Sequence, residues 1–179
     1  MKPKEVISEF DEFLKKHKTT FTGVAIGSAP LSLLGIIAKE TRDCDIIDPV
    51  IPENIQSFAV EFAQQNRARG GTLRDDWLNN GPISLKDKLP VGWEKRLQLI
   101  FKGKSLTLYS VGRDDLLKTK LLGLCDRGID KNDCIAMRPA KEEIRAATNW
   151  VKDQDGNPGW PKHVDGVLAN LAKELGYEL

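Results

Sequence analysis

Apolar residues recur at helical spacing in some segments of the chain and cluster in short runs in others. Over residues 4–17 they lie three and four positions apart with acidic residues between them, which predicts an amphipathic helix. Residues 21–26 form a short apolar, β-prone run that is typical of a buried strand, and Gly27-Ser28 follows it directly. The first half of the chain is therefore predicted to form a helix over 4–17, a strand over 21–26, a helix over 29–37, a strand over 41–47 and a helix over 52–69.

The second half begins with two strand-like segments and then becomes helical. Residues 96–101 and 106–111 are joined by Lys102-Gly103-Lys104-Ser105, which is typical of a hairpin turn. Helical spacing follows over residues 112–124, 133–137, 139–151 and 161–175. We therefore predict an α/β (α+β) protein, in which residues 1–111 form a mixed-sheet core with an N-terminal helix and residues 112–179 form a helical C-terminal region packed on it.

Composition narrows the class of protein. Hydrophobic residues make up 40% of the 179, enough to form a core without disulfides, and a net charge of +1 gives no general attraction for nucleic acid or anionic membranes. Cys44, Cys125 and Cys134 form no C-x-x-C pair and fit a reducing compartment. The first residues lack the apolar segment of a signal peptide, and no apolar run reaches the length of a membrane span. We expect a cytoplasmic protein that is not bound to a membrane.

Residues that carry chemistry lie after the first strand and along the second. Gly27 has no Cβ, so the backbone can turn sharply and approach a ligand, and Ser28 adds a hydroxyl that can bond a phosphate oxygen. Asp43 and Asp45 alternate with an apolar residue, so their carboxylates should project on one side of the strand. Neighbouring carboxylates repel unless a cation neutralises them, and such hard oxygen ligands suit Mg²⁺ or Mn²⁺ together with substrate phosphates. In combination the two motifs predict a phosphate-and-metal site, whereas either motif alone is typical of an ordinary turn or a solvated strand edge.

This order of motifs resembles the signature of the nucleotidyltransferase superfamily, which has the polymerase-β-like fold. In that superfamily a Gly-Gly or Gly-Ser pair precedes an acidic-x-acidic strand by about one helix. The chain looks most like bacterial stand-alone members of largely uncharacterised function, related to the nucleotidyltransferases of abortive-infection toxin–antitoxin systems. Weaker resemblance is carried by residues 89–97, 114–120, 127–133 and 155–160.

The resemblance implies a nucleotidyltransferase-like sheet core, a reaction and a set of site residues. Asp43 and Asp45 would be the catalytic carboxylates and would bind Mg²⁺ or Mn²⁺. The nucleotide-binding residues would be Gly27, Ser28, Lys39, Thr41 and Lys120. Lys39 stands where such proteins usually carry Arg, and Thr41 would orient the first carboxylate. Lys120 has a simpler interpretation as a surface charge on its helix. The implied activity is transfer of a nucleoside monophosphate from an NTP to an unknown acceptor.

One departure from the superfamily keeps other functions open. Active members usually carry a third carboxylate on a later strand, often as the general base, but residues 96–101 and 106–110 contain no acid. The alternative is a catalytically silent protein of the same fold that binds nucleotide or a protein partner, as a toxin–antitoxin-like component. A third hypothesis is an unrelated α/β domain with a coincidental motif, which a structure with Asp43 and Asp45 far from Gly27 would favour. Nucleic acid is not an expected partner, although no pattern excludes it.

Overall fold

The chain forms two compact units that divide between Gly112 and Arg113. The computed structural model describes residues 2–38 and 40–178. The first unit contains the sheet and three α-helices, and the second unit contains four further α-helices. Within the described residues, no helix is both long and apolar enough to cross a membrane.

The elements of the first unit follow the predicted order, except that a short strand and two 3₁₀-helices are added after the third helix and two predicted elements end or begin at other residues. They are α1 (Pro3–Lys16), β1 (Phe21–Ile26), α2 (Ser28–Leu33), β2 (Cys44–Asp48), α3 (Glu53–Ala68), β3 (Leu78–Asn79), two 3₁₀-helices (Ile83–Lys88 and Trp93–Arg96), β4 (Gln98–Lys102) and β5 (Leu106–Ser110). The helix predicted over 29–37 ends at Leu33, because Gly35 follows with φ of +72° and turns the chain. Asp43 lies immediately before β2 rather than within it.

The five strands form one mixed sheet in the order β3-β2-β1-β5-β4. The central strand β1 runs antiparallel to β2 and parallel to β5. At the two edges, β3 runs parallel to β2, and β4 pairs antiparallel with β5 through the predicted hairpin. A mixed sheet flanked by helices confirms the α/β (α+β) class.

The main core of the first unit lies between one face of the sheet and helices α1 and α3. Cys44 and Ile46 of β2 are fully buried in it, as the strand alternation predicts. Trp77 fills its centre, with its indole edge-on to Phe10 at a ring-centroid distance of 5.1 Å. The indole Nε1–H donates to the Ala59 carbonyl oxygen at 3.0 Å, so the polar atom of this buried ring has a partner. This packing fixes the segment that leads from α3 into β3.

A buried carboxylate ties α1 to the β4–β5 turn. Asp11 is only 5% exposed, although it lies on a helix whose other acidic residues face solvent. Its Oδ1 accepts hydrogen bonds from the backbone N–H groups of Ser105 and Leu106, both at 2.7 Å, and its Oδ2 accepts one from Lys104 at 3.1 Å. Gly103 makes room for it, since a Cβ there would lie 2.2–2.4 Å from the carboxylate atoms. The hairpin is therefore held by a charge-assisted clamp from a distant helix.

The second unit consists of α4 (Arg113–Arg127), α5 (Lys131–Ala136), α6 (Lys141–Lys152) and α7 (Trp160–Glu174). Its apolar centre includes Leu121, Val151 and Val164, each fully buried. Gly128 and Gly176, with φ of +66° and +85°, follow α4 and α7 and allow the chain to leave each helix. All four helices were predicted from apolar spacing, to within a few residues at each end.

Candidate functional site

The turn after β1 and the start of β2 lie against each other. Ile26 is opposite Asp45 in the antiparallel ladder, so the next residue, Gly27, lies beside the Asp45 side chain. A Cβ built on Gly27 would lie 3.1 Å from Asp45 Oδ2, closer than side chains normally pack. Gly27 also has φ of +83° and ψ of −143°, a conformation that is essentially restricted to glycine. The separation from Gly27 that would favour a coincidental motif is therefore not found for Asp45.

Asp43 and Asp45 flank a buried residue at the beginning of β2. Both side chains are partly exposed, whereas Cys44 between them is fully buried. Burial raises the pKa of the Cys44 thiol, and the neighbouring charges of Asp45 and Asp43 raise it further, so Cys44 stays protonated and inert. The structure thus places both acidic residues next to the buried Cys44.

Thr41 supports the backbone before β2. It is 7% exposed, and its hydroxyl donates to the backbone carbonyl oxygen of Asp43 at 3.2 Å. This hydrogen bond holds the main chain that carries Asp43, and the role of Thr41 in orienting the Asp43 carboxylate stays a prediction. Ser28 is the first residue of α2 and is half-buried beside the turn.

The short strand β3 adds a neighbour that the sequence did not predict. Asn79 is opposite Asp45 in the parallel pairing of β2 and β3. Its Oδ1 accepts a hydrogen bond from the backbone N–H of Gly81 at 2.6 Å. A Cβ on Gly81 would lie 2.8 Å from Asn79 Oδ1 and 4.0 Å from Asp45 Oδ1. The amide oxygen and the carboxylate therefore border the same small space above Gly81.

Asn80 braces this turn and points away from the site. Its Nδ2 donates to the carbonyl oxygens of Ile46 at 2.7 Å and Pro49 at 3.1 Å, and its Oδ1 accepts from the Ile51 N–H at 2.7 Å. Of the two neighbouring asparagines, Asn80 thus fastens the turn to the end of β2, and Asn79 faces Asp45. Only a general turn signal could be read from the sequence here, because a two-residue strand is too short to show periodicity.

The oxygen donors of the site fit a divalent cation of the Mg²⁺ type. Within residues 2–38 and 40–178, no group of three or more His, Cys, Asp or Glu side chains is placed to hold a metal. Asp43 and Asp45 supply two carboxylates, and Mg²⁺ is commonly bound by one or two carboxylates together with substrate phosphates and water. The cradle left by Gly27, which a Cβ would fill, leaves space beside Asp45 for such a group.

Two predicted cations remain to be placed. Lys39 lies outside the described residues. Lys120, on α4, is buried within the helical unit, and its Nζ donates to Asp130 Oδ1 and Asp133 Oδ2, both at 2.8 Å. It is not a surface charge, and a phosphate would compete with two carboxylates for it. Its role in nucleotide binding stays a prediction.

The strands on the other side of β1 carry no acid. Ser110 of β5 pairs with Ala25, is fully buried, and donates its hydroxyl proton to the Val111 carbonyl oxygen at 2.9 Å. Neither β4 nor β5 contains Asp or Glu, as the sequence shows. The polar residue next to Asp45 is on β3 instead, and it is an amide.

A mixed sheet in which a Gly-Ser turn meets an acidic-x-acidic strand defines a nucleotidyltransferase-like protein. The chain belongs to the family described as nucleotidyltransferase of unknown function (DUF6036), whose model matches residues 2–140. The matched range contains every residue of the candidate site and extends through α4 and α5. This confirms the superfamily suggested by the motifs, and the relation to toxin–antitoxin systems stays a prediction. No curated protein and no solved structure matches the chain.

Proposed function

We propose that the protein transfers a nucleoside monophosphate from a nucleoside triphosphate to an acceptor, using Mg²⁺ or Mn²⁺. In this reaction an acceptor oxygen or nitrogen bonds to the α-phosphorus, the bond from that phosphorus to the bridging oxygen of the β-phosphate breaks, and pyrophosphate leaves. The proton of the acceptor passes to water or to a basic group on the acceptor side. The observation that carries the proposal is the contact between Asp45 and Gly27 inside the family-matched region.

The chain's own residues would divide the work of binding. Asp43 and Asp45 would hold the cation, which when bound neutralises charge on the phosphates. Gly27 lets the phosphate chain approach the backbone, because no side chain projects there. Ser28 would donate its hydroxyl to a phosphate oxygen. Thr41 holds the backbone of Asp43 in position through its hydrogen bond to the Asp43 carbonyl oxygen.

The test is a binding titration with a non-hydrolysable α,β-methylene nucleoside triphosphate and Mn²⁺. The variant Asp43→Asn/Asp45→Asn should lose at least tenfold in affinity, because the amides cannot neutralise the cation. Asp87→Asn removes the same kind of charge from an exposed position in the 3₁₀-helix Ile83–Lys88 and should bind like the parent. If the double variant bound the Mn²⁺–nucleotide complex as tightly as the parent, the metal assignment would be wrong.

A second candidate function is nucleotide binding without turnover. It is favoured by the neutral Asn79 next to Asp45 and by the absence of acids on β4 and β5. The two functions differ in one measurement, the release of pyrophosphate from each of the four NTPs with Mg²⁺ and a panel of acceptors. Release that depends on Asp45 identifies a transferase, whereas tight binding with no release in any reaction identifies a silent binder.

A further inference from the structure

We propose that the neutral side chain of Asn79 limits the site to one divalent cation per chain. This inference rests on the proposed function and adds the cation count and the residue that sets it. The relevant space is bordered by Asp45 on β2 and by Asn79 and Gly81 on the β3 turn.

The geometry brings Asn79 and Asp45 to the same face of the sheet. They are register partners on parallel neighbouring strands, and such partners project on the same side. Asn79 Oδ1 and Asp45 Oδ1 lie 2.8 Å and 4.0 Å from the position that a Gly81 Cβ would occupy. A side chain at position 79 therefore acts directly on whatever Asp45 binds.

The orientation of the amide is fixed by two bonds. Asn79 Oδ1 accepts from the Gly81 N–H at 2.6 Å, and its Nδ2 donates to the Asp76 carbonyl oxygen at 3.2 Å. The amide therefore presents no negative charge to the site, and turning it to present other atoms would cost both bonds. Both half-buried groups, Asn79 and Asp45, are held without the repulsion that two carboxylates would have.

The number of carboxylates then sets the number of cations. Asp43 and Asp45 supply two carboxylates, which suit one divalent cation held together with substrate phosphates and water. A second cation would have to bind beside Asp45 with the neutral amide oxygen of Asn79, which offsets none of its charge. A carboxylate at position 79 would supply a charged ligand, because Asp also accepts the Gly81 N–H through its side-chain oxygen.

The experiment counts Mn²⁺ bound per chain by equilibrium dialysis with the α,β-methylene nucleoside triphosphate in both compartments. The parent should bind one Mn²⁺ per chain and Asn79→Asp should bind two. Gln98→Glu adds the same charge on β4, at the far edge of the sheet, and should bind one. Asn79→Ser keeps position 79 neutral and should also bind one.

Thermal unfolding gives a second readout that needs no activity. Without a divalent cation Asn79→Asp should melt below the parent, because two carboxylates then repel, and Mn²⁺ should raise its melting temperature at least twice as much as it raises that of the parent. The proposal is overturned if the parent binds two Mn²⁺ per chain, or if folded Asn79→Asp binds one. If the parent binds no Mn²⁺–nucleotide at all, the proposed function fails first, and the two failures are thereby distinguished.

Discussion

Removal of the Asp11 carboxylate should destabilise the sheet unit more than a typical helix-surface substitution. Asp11→Ala leaves the N–H groups of Ser105 and Leu106 buried without an acceptor, whereas the Lys104 N–H is near solvent and can bond to water. A buried donor without a partner costs about 1–3 kcal/mol, so two of them cost about 2–6 kcal/mol. Because the turn lies at the surface and water can enter it, we take about 3 kcal/mol, which lowers the melting temperature by about 6–12 °C.

Asp11→Asn has nearly the same shape as the parent but no charge, so it separates the contribution of the hydrogen bonds from that of the charge. Asp11→Asn keeps an oxygen at the Oδ1 position, so it still accepts from Ser105 and Leu106 and loses only the bond from Lys104. We expect a loss of about 1 kcal/mol, well below that of Asp11→Ala. The assay is urea unfolding followed by tryptophan fluorescence, since Trp77 lies in the same core. Equal losses for the two variants, or a loss below about 0.5 kcal/mol for Asp11→Ala, would refute the clamp.

The same carboxylate gives a pH signature. Burial raises the pKa of Asp11, but hydrogen bonds from the N–H groups of Ser105, Lys104 and Leu106 lower it by more, so its pKa in the folded protein is below the usual value. The stabilisation is therefore complete above the unfolded-state pKa of about 4 and is lost as the pH falls through the lower folded-state pKa. The stability gap between the parent and Asp11→Asn should be constant above about pH 6 and should shrink below about pH 4. A gap that does not change with pH would contradict the charge assignment.

Three further substitutions test neighbouring claims. Gly27→Ala should abolish Mn²⁺–nucleotide binding and destabilise the protein by about 1–3 kcal/mol, because the new side chain has a positive φ and a close contact with Asp45. Gly70→Ala is the control: it has a similar φ of +85° but open space around it, so it should lose stability without losing nucleotide binding. Gly103→Ala should cost about 2 kcal/mol or more in the parent and much less in the Asp11→Ala background, measured as a double-mutant cycle in urea. Lys120→Met should destabilise the helical unit by about 3–5 kcal/mol in thermal unfolding, because the buried Asp133 and the partly buried Asp130 lose their shared cation. If Lys120→Met instead reduces nucleotide affinity with no change in stability, the structural role of the ion pair is wrong.

Local patterns predicted the elements that repeat over several residues. The strand Phe21–Ile26 and the helices α1, α3 and α7 have enough apolar positions to define a period, and each was found within a few residues of its predicted bounds. The helix after Gly27 was predicted too long, because apolar Ile36 and Ile37 extend the pattern past Gly35, whose positive φ ends it. In that case backbone conformation overrode hydrophobic spacing.

Contacts between distant parts of the chain could not be predicted from the sequence. Strand β3 has two residues, so only its pairing with β2 reveals it, and with it the position of Asn79 beside Asp45. The contact of Asp11 with the β4–β5 turn joins residues more than ninety positions apart and has no local signal. Gly27 lies next to Asp45, as the order of the motifs predicted, because a glycine turn and an acidic strand motif are each local and their order limits how they can meet.

The register of β1 and β2 determines the position of Asp45 relative to Gly27 in the candidate site. On β2, Cys44 and Ile46 are fully buried in the main core while Asp45 between them is partly exposed, so a slip of one residue would move the carboxylate into that core and take both apolar side chains out of it. A bulge between Val24 and Ala25 absorbs one extra residue of β2 and leaves the pairing of Ile26 with Asp45 intact. The contact of Gly27 with Asp45 is thus fixed by burial of the core on the opposite face rather than by a loop. It follows that Asp45→Asn should change cation binding with little effect on folding, which is the behaviour expected of a site built on the sheet itself.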